Sequence, residues 1–455
     1  MRNPELKTKL MYWRACAIFL ALAILGGVSF DDAAHQANVA VQASVPQPIF
    51  VPFQAEQLSP ESNSVNTPLL PDEIYPGCGV YPISQDADPY TDDQGLNESI
   101  IWKDGVSYNC PRPFDGYTYI AKELEQRIPE GNRRPVTIVI MDTGFPETHE
   151  DWCATPDINY ISKSFIDPKW DATGPLVDVI GHGSVVASIA NACSINGIGM
   201  PSHGMGDVDI ASFKVMFPYG GGGMINPSTF TDALAYLDSV ARADPERMFV
   251  VNMSFAGFIA WDKMINLIND LPENVVLIAG AGNTNTGLPH EGLDYPAAHP
   301  RVISVSASIK TSNDKLCSFS YYAPTDPTSF TATGCGGLWG FSNTESPLPY
   351  TGGHAGTSFS SPQLAGLVAY LLHMFPDSSP ENIFDVIRAT SLTVTQDTKG
   401  NPLGPLQHVF PLGTIQELAR QAGYEDLATP PQVQYLQFLP LILSGEPYYA
   451  QIYTN

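Results

Sequence analysis

The run Val136-Thr-Ile-Val-Ile-Met141 places β-branched, apolar side chains at consecutive positions rather than alternate ones. A strand with one face in water would alternate. This one requires cover on both faces, which suits a buried parallel strand between layers of helix. Similar runs follow at Ile210–Met216, Met248–Met253, Val275–Ala279 and Val302–Val305. Stretches that read as helices lie before, among and after them. They are Tyr117–Ile128, Gly183–Ala192, Thr229–Arg242, Trp261–Asp270, Leu364–Phe375, Pro380–Thr390 and Ile415–Ala422, the last stopping near Gly423. Strand–helix alternation of this kind specifies an α/β domain with a mainly parallel sheet. Ligands then sit at the carboxyl ends of the strands.

The flanks have a different character. Residues 2–14 carry Arg2, Lys7, Lys9 and Arg14, and an uncharged apolar stretch runs from Ala15 to Phe30 before Asp31-Asp32. That reads as a cleaved signal peptide or an uncleaved N-terminal anchor over 1–30, and either one exports the remainder. Residues 31–115 are dense in Pro, Asp, Ser and Asn, the composition of a linker or propeptide-like region. The main α/β unit spans 116–425, and a Pro- and Tyr-rich tail of unassigned role fills 426–455. With 47 acidic and 22 basic residues, a net charge of −25 repels nucleic acid. No stable membrane association is expected unless the first segment stays uncleaved. Cys16 falls inside that segment, which leaves Cys78, Cys110, Cys153, Cys193, Cys317 and Cys335, an even set in an exported chain. Pairing of neighbours in order is one of 15 connectivities open to six cysteines. No Cys-x-x-Cys occurs, which argues against a cysteine-based zinc or redox site.

Four polar residues stand out against this background. Asp142 follows the first strand in MDTG and suits either a turn cap or a catalytic carboxylate. The same triplet marks aspartic proteases, but these need a second such carboxylate, and no second Asp-Thr-Gly or Asp-Ser-Gly exists. His182 lies in GHGS at a helix start, with glycine on both sides. Ser358 lies in HAGTSFSSP, also opening a helix, with Pro362 suited to its first turn; an N-cap role and a nucleophilic role are compatible there. Asn283, in AGAGNTNTG after a strand, is a turn asparagine or a donor to an oxyanion. The four glycines Gly220–Gly223 lack a following Gly-Lys-Ser/Thr, so they read as a flexible loop at the cleft rather than a phosphate cradle.

Together, VIMDTG, GHGSVVASIA, VNMSFAG, AGAGN, YPAAHPRVISVSA and GTSFSSPQLAG resemble the subtilisin-like serine proteases in sequence and in order, over roughly residues 117–425. The resemblance implies a three-layer subtilisin-like α/β domain with a mainly parallel central sheet flanked by helices. It implies a secreted endopeptidase acting on polypeptides through an acyl-enzyme, with no catalytic cofactor. Ser358 would be the nucleophile, His182 the base and then acid, Asp142 the orienter of the imidazole, and Asn283 the oxyanion donor. Ser254, Phe255, Ala256 and Gly257 would line the substrate strand and pocket. Asp294, just before Tyr295-Pro296, would attract Lys or Arg at P1. A structural calcium would involve Asp151 and Asn196. Ser184-Val185 stands where the family usually has Thr-His, outside the triad. A catalytically silent binding protein on the same scaffold is the competing reading; reaction with a fluorophosphonate distinguishes the two.

Overall fold

The computed structural model describes residues 116–428, apart from short breaks at 154–156, 159, 195–201, 220–221, 258–259, 310–311, 336 and 347. It also describes the backbone of 49–51, 98–103 and 106–111. The expected signal segment over 1–30 and the tail from 429 onward lie outside the described residues, as do Cys78 and Asn196.

Ten strands form the central sheet: β1 Val136–Asp142, β2 Lys163–Ser164, β3 Asp209–Lys214, β4 Met248–Met253, β5 Val275–Gly280, β6 Val302–Ile309, β7 Ser312–Leu316, β8 Ser329–Cys335, β9 Leu392–Asp397 and β10 Pro402–His408. Their spatial order is β7-β9-β10-β8-β6-β5-β4-β1-β3-β2. Every pairing from β8 through β6, β5, β4, β1 and β3 to β2 is parallel. The antiparallel pairs are β9–β10 and β6–β7, and β7 pairs with both β9 and β6.

Seven helices cover this sheet among the described residues: α1 Gly116–Arg127, α2 His182–Asn191, α3 Pro227–Ala243, α4 Asp262–Asp270, α5 Thr357–Met374, α6 Pro380–Thr390 and α7 Pro411–Gln421. The double burial demanded by the β-branched runs is realised residue by residue. Ile138 and Ile140 of β1 join one core with Leu124 of α1, Val186 of α2 and Leu367 of α5. Val139 and Met141, on the opposite face, join a second core with Leu234 and Leu237 of α3 and Met264 and Ile268 of α4. The result is a three-layer α/β fold with the parallel sheet in the middle. Each fully buried aliphatic side chain in these layers contributes about 1.5–3 kcal/mol of transfer free energy.

Local chemistry sets several boundaries. Asn226 caps α3 by accepting from Ser228 N, and Pro227 occupies the first helical position. Ser379 does the same for α6, with Pro380 following. The sequence pattern starts a helix at Ser358 and reads another from Leu364; the structure joins them into the single helix α5, with Pro362 inside it. In the tract expected to be a linker, Glu98–Lys103 and Val106–Pro111 pair as a hairpin, and Ile49–Val51 runs antiparallel to Gly223–Ile225. Disulfides join Cys153 to Cys193 and Cys317 to Cys335, in the neighbour order expected.

Candidate active site

Asp142 is the last residue of β1, so its side chain emerges at the carboxyl end of the sheet. Its own neighbour fixes it: Thr143 N donates to Asp142 Oδ1 at 2.8 Å. Thr143 in turn accepts from Gly183 N through its hydroxyl at 2.8 Å, tying the strand end to the start of α2. Gly183 has no room for a side chain, because a Cβ there would come within 2.1 Å of the Gly144 carbonyl oxygen.

His182 opens α2 directly after Gly181, whose φ of 96° lies in the left-handed region. Its Nδ1–H donates to Asp142, with Oδ1 at 2.7 Å and Oδ2 at 2.9 Å. Both side chains are buried. Burial alone would lower the His182 pKa and is the largest single influence. The charge and hydrogen bond of Asp142, helped by the charge of Asp178, outweigh it, so the pKa is raised above 6.5.

Asp178 is a functional-site residue that sequence reasoning missed. It is fully buried and accepts four hydrogen bonds at the start of α2, from Ile180 N, Gly181 N, Ser184 N and Ser184 Oγ. Burial pushes its carboxyl above the usual range, against the pull of those donors. The available signal was the Asp four residues ahead of His182 and six ahead of Ser184, a capping arrangement for the helix that bears the imidazole.

Ser358 is the second residue of α5 and is partly exposed. The next residue, Phe359, brings its ring to 5.4 Å from the His182 imidazole. In this structure the Ser358 hydroxyl donates to the Ser254 carbonyl at 3.1 Å. Asn283, which is exposed, accepts from Thr357 N through Oδ1 at 3.0 Å. That bond fixes the amide beside the first turn of α5 and leaves Nδ2 as the donor end. Asp142, His182, Asn283 and Ser358 therefore gather at the carboxyl ends of β1 and β5 and the N-termini of α2 and α5.

The remaining expected residues are distributed as follows. Ser254 and Phe255 have buried side chains, Phe255 packing edge-on against Phe230 at 5.3 Å, whereas Ala256 is partly exposed and Gly257 exposed. Asp294 is half-buried, and its carboxyl oxygen lies 3.0 Å from where a Cβ on Gly282 would stand. Burial raises its pKa, moderated by His290. Asp151 is buried, and its carbonyl accepts from Cys193 N at 2.9 Å. No group of three or more His, Cys, Asp or Glu capable of holding a metal occurs among the described residues. A calcium ion takes six to eight oxygens, backbone and Asn carbonyls among them, so Asp151 would be one ligand of several. Ser184 and Val185, the departures from the family pattern, have local explanations: Ser184 bonds Asp178, and Val185 packs where a Cβ on Gly340 would lie 2.6 Å from its Cγ1.

One more element borders the cleft. The hairpin Met216–Tyr219/Gly222–Ile225 follows β3, and a Cβ on Gly223 would stand 3.6 Å from Thr143 Cγ2. Trp170, about half exposed, stacks on Phe217 of this hairpin with centroids 5.3 Å apart.

The sequence profile of the Subtilase family matches residues 133–412. Subtilisin NAT of Bacillus subtilis subsp. natto is 25% identical over 262 residues, which cover 56% of this chain and 60% of that protein. The subtilase-type proteinase isp6 of Schizosaccharomyces pombe is 28% identical over 260 residues, covering 55% of this chain and 48% of that one. The chain thus spans about 60% of the length of the subtilisin it matches. Among solved structures, S41 psychrophilic protease overlays with a TM-score of 0.49 at 22% identity, over 61% of this chain and 90% of that one. With the profile covering well over half of its residues, this chain belongs to the subtilase family.

Proposed function

We propose that the chain is an exported serine endopeptidase that cleaves polypeptides through an acyl-enzyme. The observation that carries this reading is the buried 2.7 Å bond from His182 Nδ1 to Asp142. With Nδ1 protonated and held, Nε2 is the basic nitrogen. Nε2 takes the Ser358 proton as Oγ attacks the substrate carbonyl, and the tetrahedral oxyanion is met by Asn283 Nδ2–H and the Ser358 backbone N–H. His182 then returns the proton to the leaving amine, and the acyl-enzyme is hydrolysed by the same steps with water as the nucleophile. The helix N-terminus at Ser358 favours the developing negative charge.

Substrate binding follows from the open edges near the site. The backbone of Ser254–Gly257 offers an edge to an extended peptide, and the outer edge of the hairpin strand Gly222–Ile225, which Ile49–Val51 takes here, offers a second. Asp294, half-buried near the cis Tyr295–Pro296 bond, offers a carboxylate to a basic P1 side chain. Cleavage of a peptide library after Phe and Leu as fast as after Lys and Arg would end that P1 assignment. The segment 31–115 acts as a propeptide-like region, supported by the pairing of Ile49–Val51 with the cleft hairpin. A structural calcium held by Asp151 and Asn196 belongs to the same reading, and a melting temperature indifferent to EDTA would remove it.

The deciding experiment compares casein hydrolysis and fluorophosphonate labelling by the wild type and by Ser358→Ala. Hydrolysis and labelling that vanish together in the variant support the assignment. An unlabelled, inactive wild type points to a silent scaffold.

A further inference from the structure

Helix α5 contains a defect beside the proposed nucleophile. Pro362 is its sixth residue and has no N–H, so the helical bond that would end on the Ser358 carbonyl cannot form. The proline ring also crowds that carbonyl and displaces it from the helix axis. Left alone, it would be an unsatisfied acceptor in the protein interior, a costly state. The Ser254 hydroxyl fills the vacancy by donating to Ser358 O at 2.7 Å. Ser254 is not part of the helix; it follows β4.

The hydrogen-bond inventory around Ser254 is closed. A hydroxyl has one proton and two acceptor positions. The proton goes to Ser358 O. Asn252 Nδ2 donates to Ser254 Oγ at 2.8 Å, and the Ser361 hydroxyl lies 3.1 Å away, donating to the position that remains. Ser254 is fully buried, and the carbonyl of the same residue receives the Ser358 hydroxyl. Strand end and helix start are therefore joined by a reciprocal pair of bonds between Ser254 and Ser358.

We propose that Ser254 is a positioning residue: its hydroxyl replaces the donor that Pro362 lacks and so fixes the turn from which Ser358 attacks. This rests on the assignment of Ser358 as nucleophile. It revises the expectation that Ser254 serves substrate binding alone, because its hydroxyl faces the helix. Reaction rates respond steeply to displacement of the attacking atom, with a shift of about 1 Å costing up to ~10²-fold.

The test is a cycle of the full-length wild type, Ser254→Ala, Pro362→Ala and the double variant, read by kcat and KM on one peptide substrate. Fluorophosphonate labelling of the wild type is read first. Ser254→Ala is expected to lower kcat on the order of 10–100-fold while KM changes by less than about threefold. Ser254→Thr, which keeps the hydroxyl, retains most of the activity. In the double variant the N–H restored at position 362 supplies the missing donor, so kcat recovers well above the product of the two single losses. An unlabelled wild type overturns the nucleophile assignment and the positioning role together. A labelled wild type whose single losses simply multiply, or whose Ser254→Ala variant keeps full kcat, overturns the positioning role alone.

Discussion

Asp178 and Ser184 are joined twice, the carboxylate accepting from the Ser184 backbone N–H at 2.9 Å and from its hydroxyl at 2.7 Å. The pair locks the first turn of the helix that begins at His182. A hydroxyl is all that position 184 must supply, so serine serves where the family usually has threonine. Ser184→Ala should cost about 1 kcal/mol, and Asp178→Ala about 1–3 kcal/mol because it strands buried N–H groups. Urea denaturation in a Ser358→Ala background, which prevents self-digestion, measures both. Equal stability of Asp178→Ala and its parent would refute the capping role.

With His182 as the proposed base, its raised pKa should set the acid limb of activity. The imidazole must be neutral to accept the Ser358 proton, so kcat/KM should fall as pH drops through a value above 6.5. Asp142→Asn removes the anion that favours the imidazolium, which lowers the pKa and moves the limb to lower pH. The rate should also fall on the order of 10⁴-fold, the loss this change causes in a Ser-His-Asp triad. A pH profile that keeps its midpoint after this substitution would contradict the direct electrostatic contact.

Asn283 meets the first turn of α5 through Oδ1, with Nδ2 left to donate. Asn283→Ala should lower kcat by about 10²–10³ with little change in KM, because the oxyanion exists only beyond the ground state. Steady-state kinetics with a chromogenic peptide separate the two constants. A loss confined to KM would move Asn283 from the oxyanion to ground-state binding.

Away from the cleft, Glu125 on α1 has its pKa raised to about 7, first by burial and then by the charge of Asp207. The Tyr370 hydroxyl lies 3.4 Å from its Oε1. A carboxyl with a raised folded pKa holds the fold best while protonated, and that contribution is lost as pH rises from the ordinary value of 4.5 through 7. Glu125→Gln should therefore raise the melting temperature more at pH 8 than at pH 5. Scanning calorimetry at the two pH values checks it, and an equal shift at both would refute the linkage.

The parallel heart of the sheet was legible because Val136–Met141, Met248–Met253 and Val275–Ala279 are buried on both faces and say so in every residue. Strand β8 was not, since SFTATGC reaches the same buried depth with Ser and Thr among its residues, Ser329 accepting from the Ser304 hydroxyl. Strand β10 hides behind Pro402, Gly404 and Pro405, which are tolerated because it registers with β8 at His408, beyond them. Helix α5 was read in two pieces because Pro362 normally marks a first turn, whereas here a tertiary hydroxyl repairs the broken ladder. Asp142, His182, Asn283 and Ser358 could be picked out because glycines and strand ends frame them. Asp178 has its partners two to six residues further on and left only a local capping signal, whereas the helical role of Ser254 depends on Ser358, 104 residues along the chain, which a linear pattern does not display.

Helix α1 is fastened at two buried points: Tyr117 donates its hydroxyl to the His203 carbonyl at 2.6 Å, and Tyr370 donates to Ala121 O at 3.1 Å. Its apolar side, with Ile120 and Leu124, belongs to the same interior that supports α5. Any proteolytic trimming of the preceding tract would consequently have a floor. However much of the preceding tract is removed, the stable end product must still begin ahead of Tyr117, and a cut beyond it would uncover the back of the helix that carries Ser358.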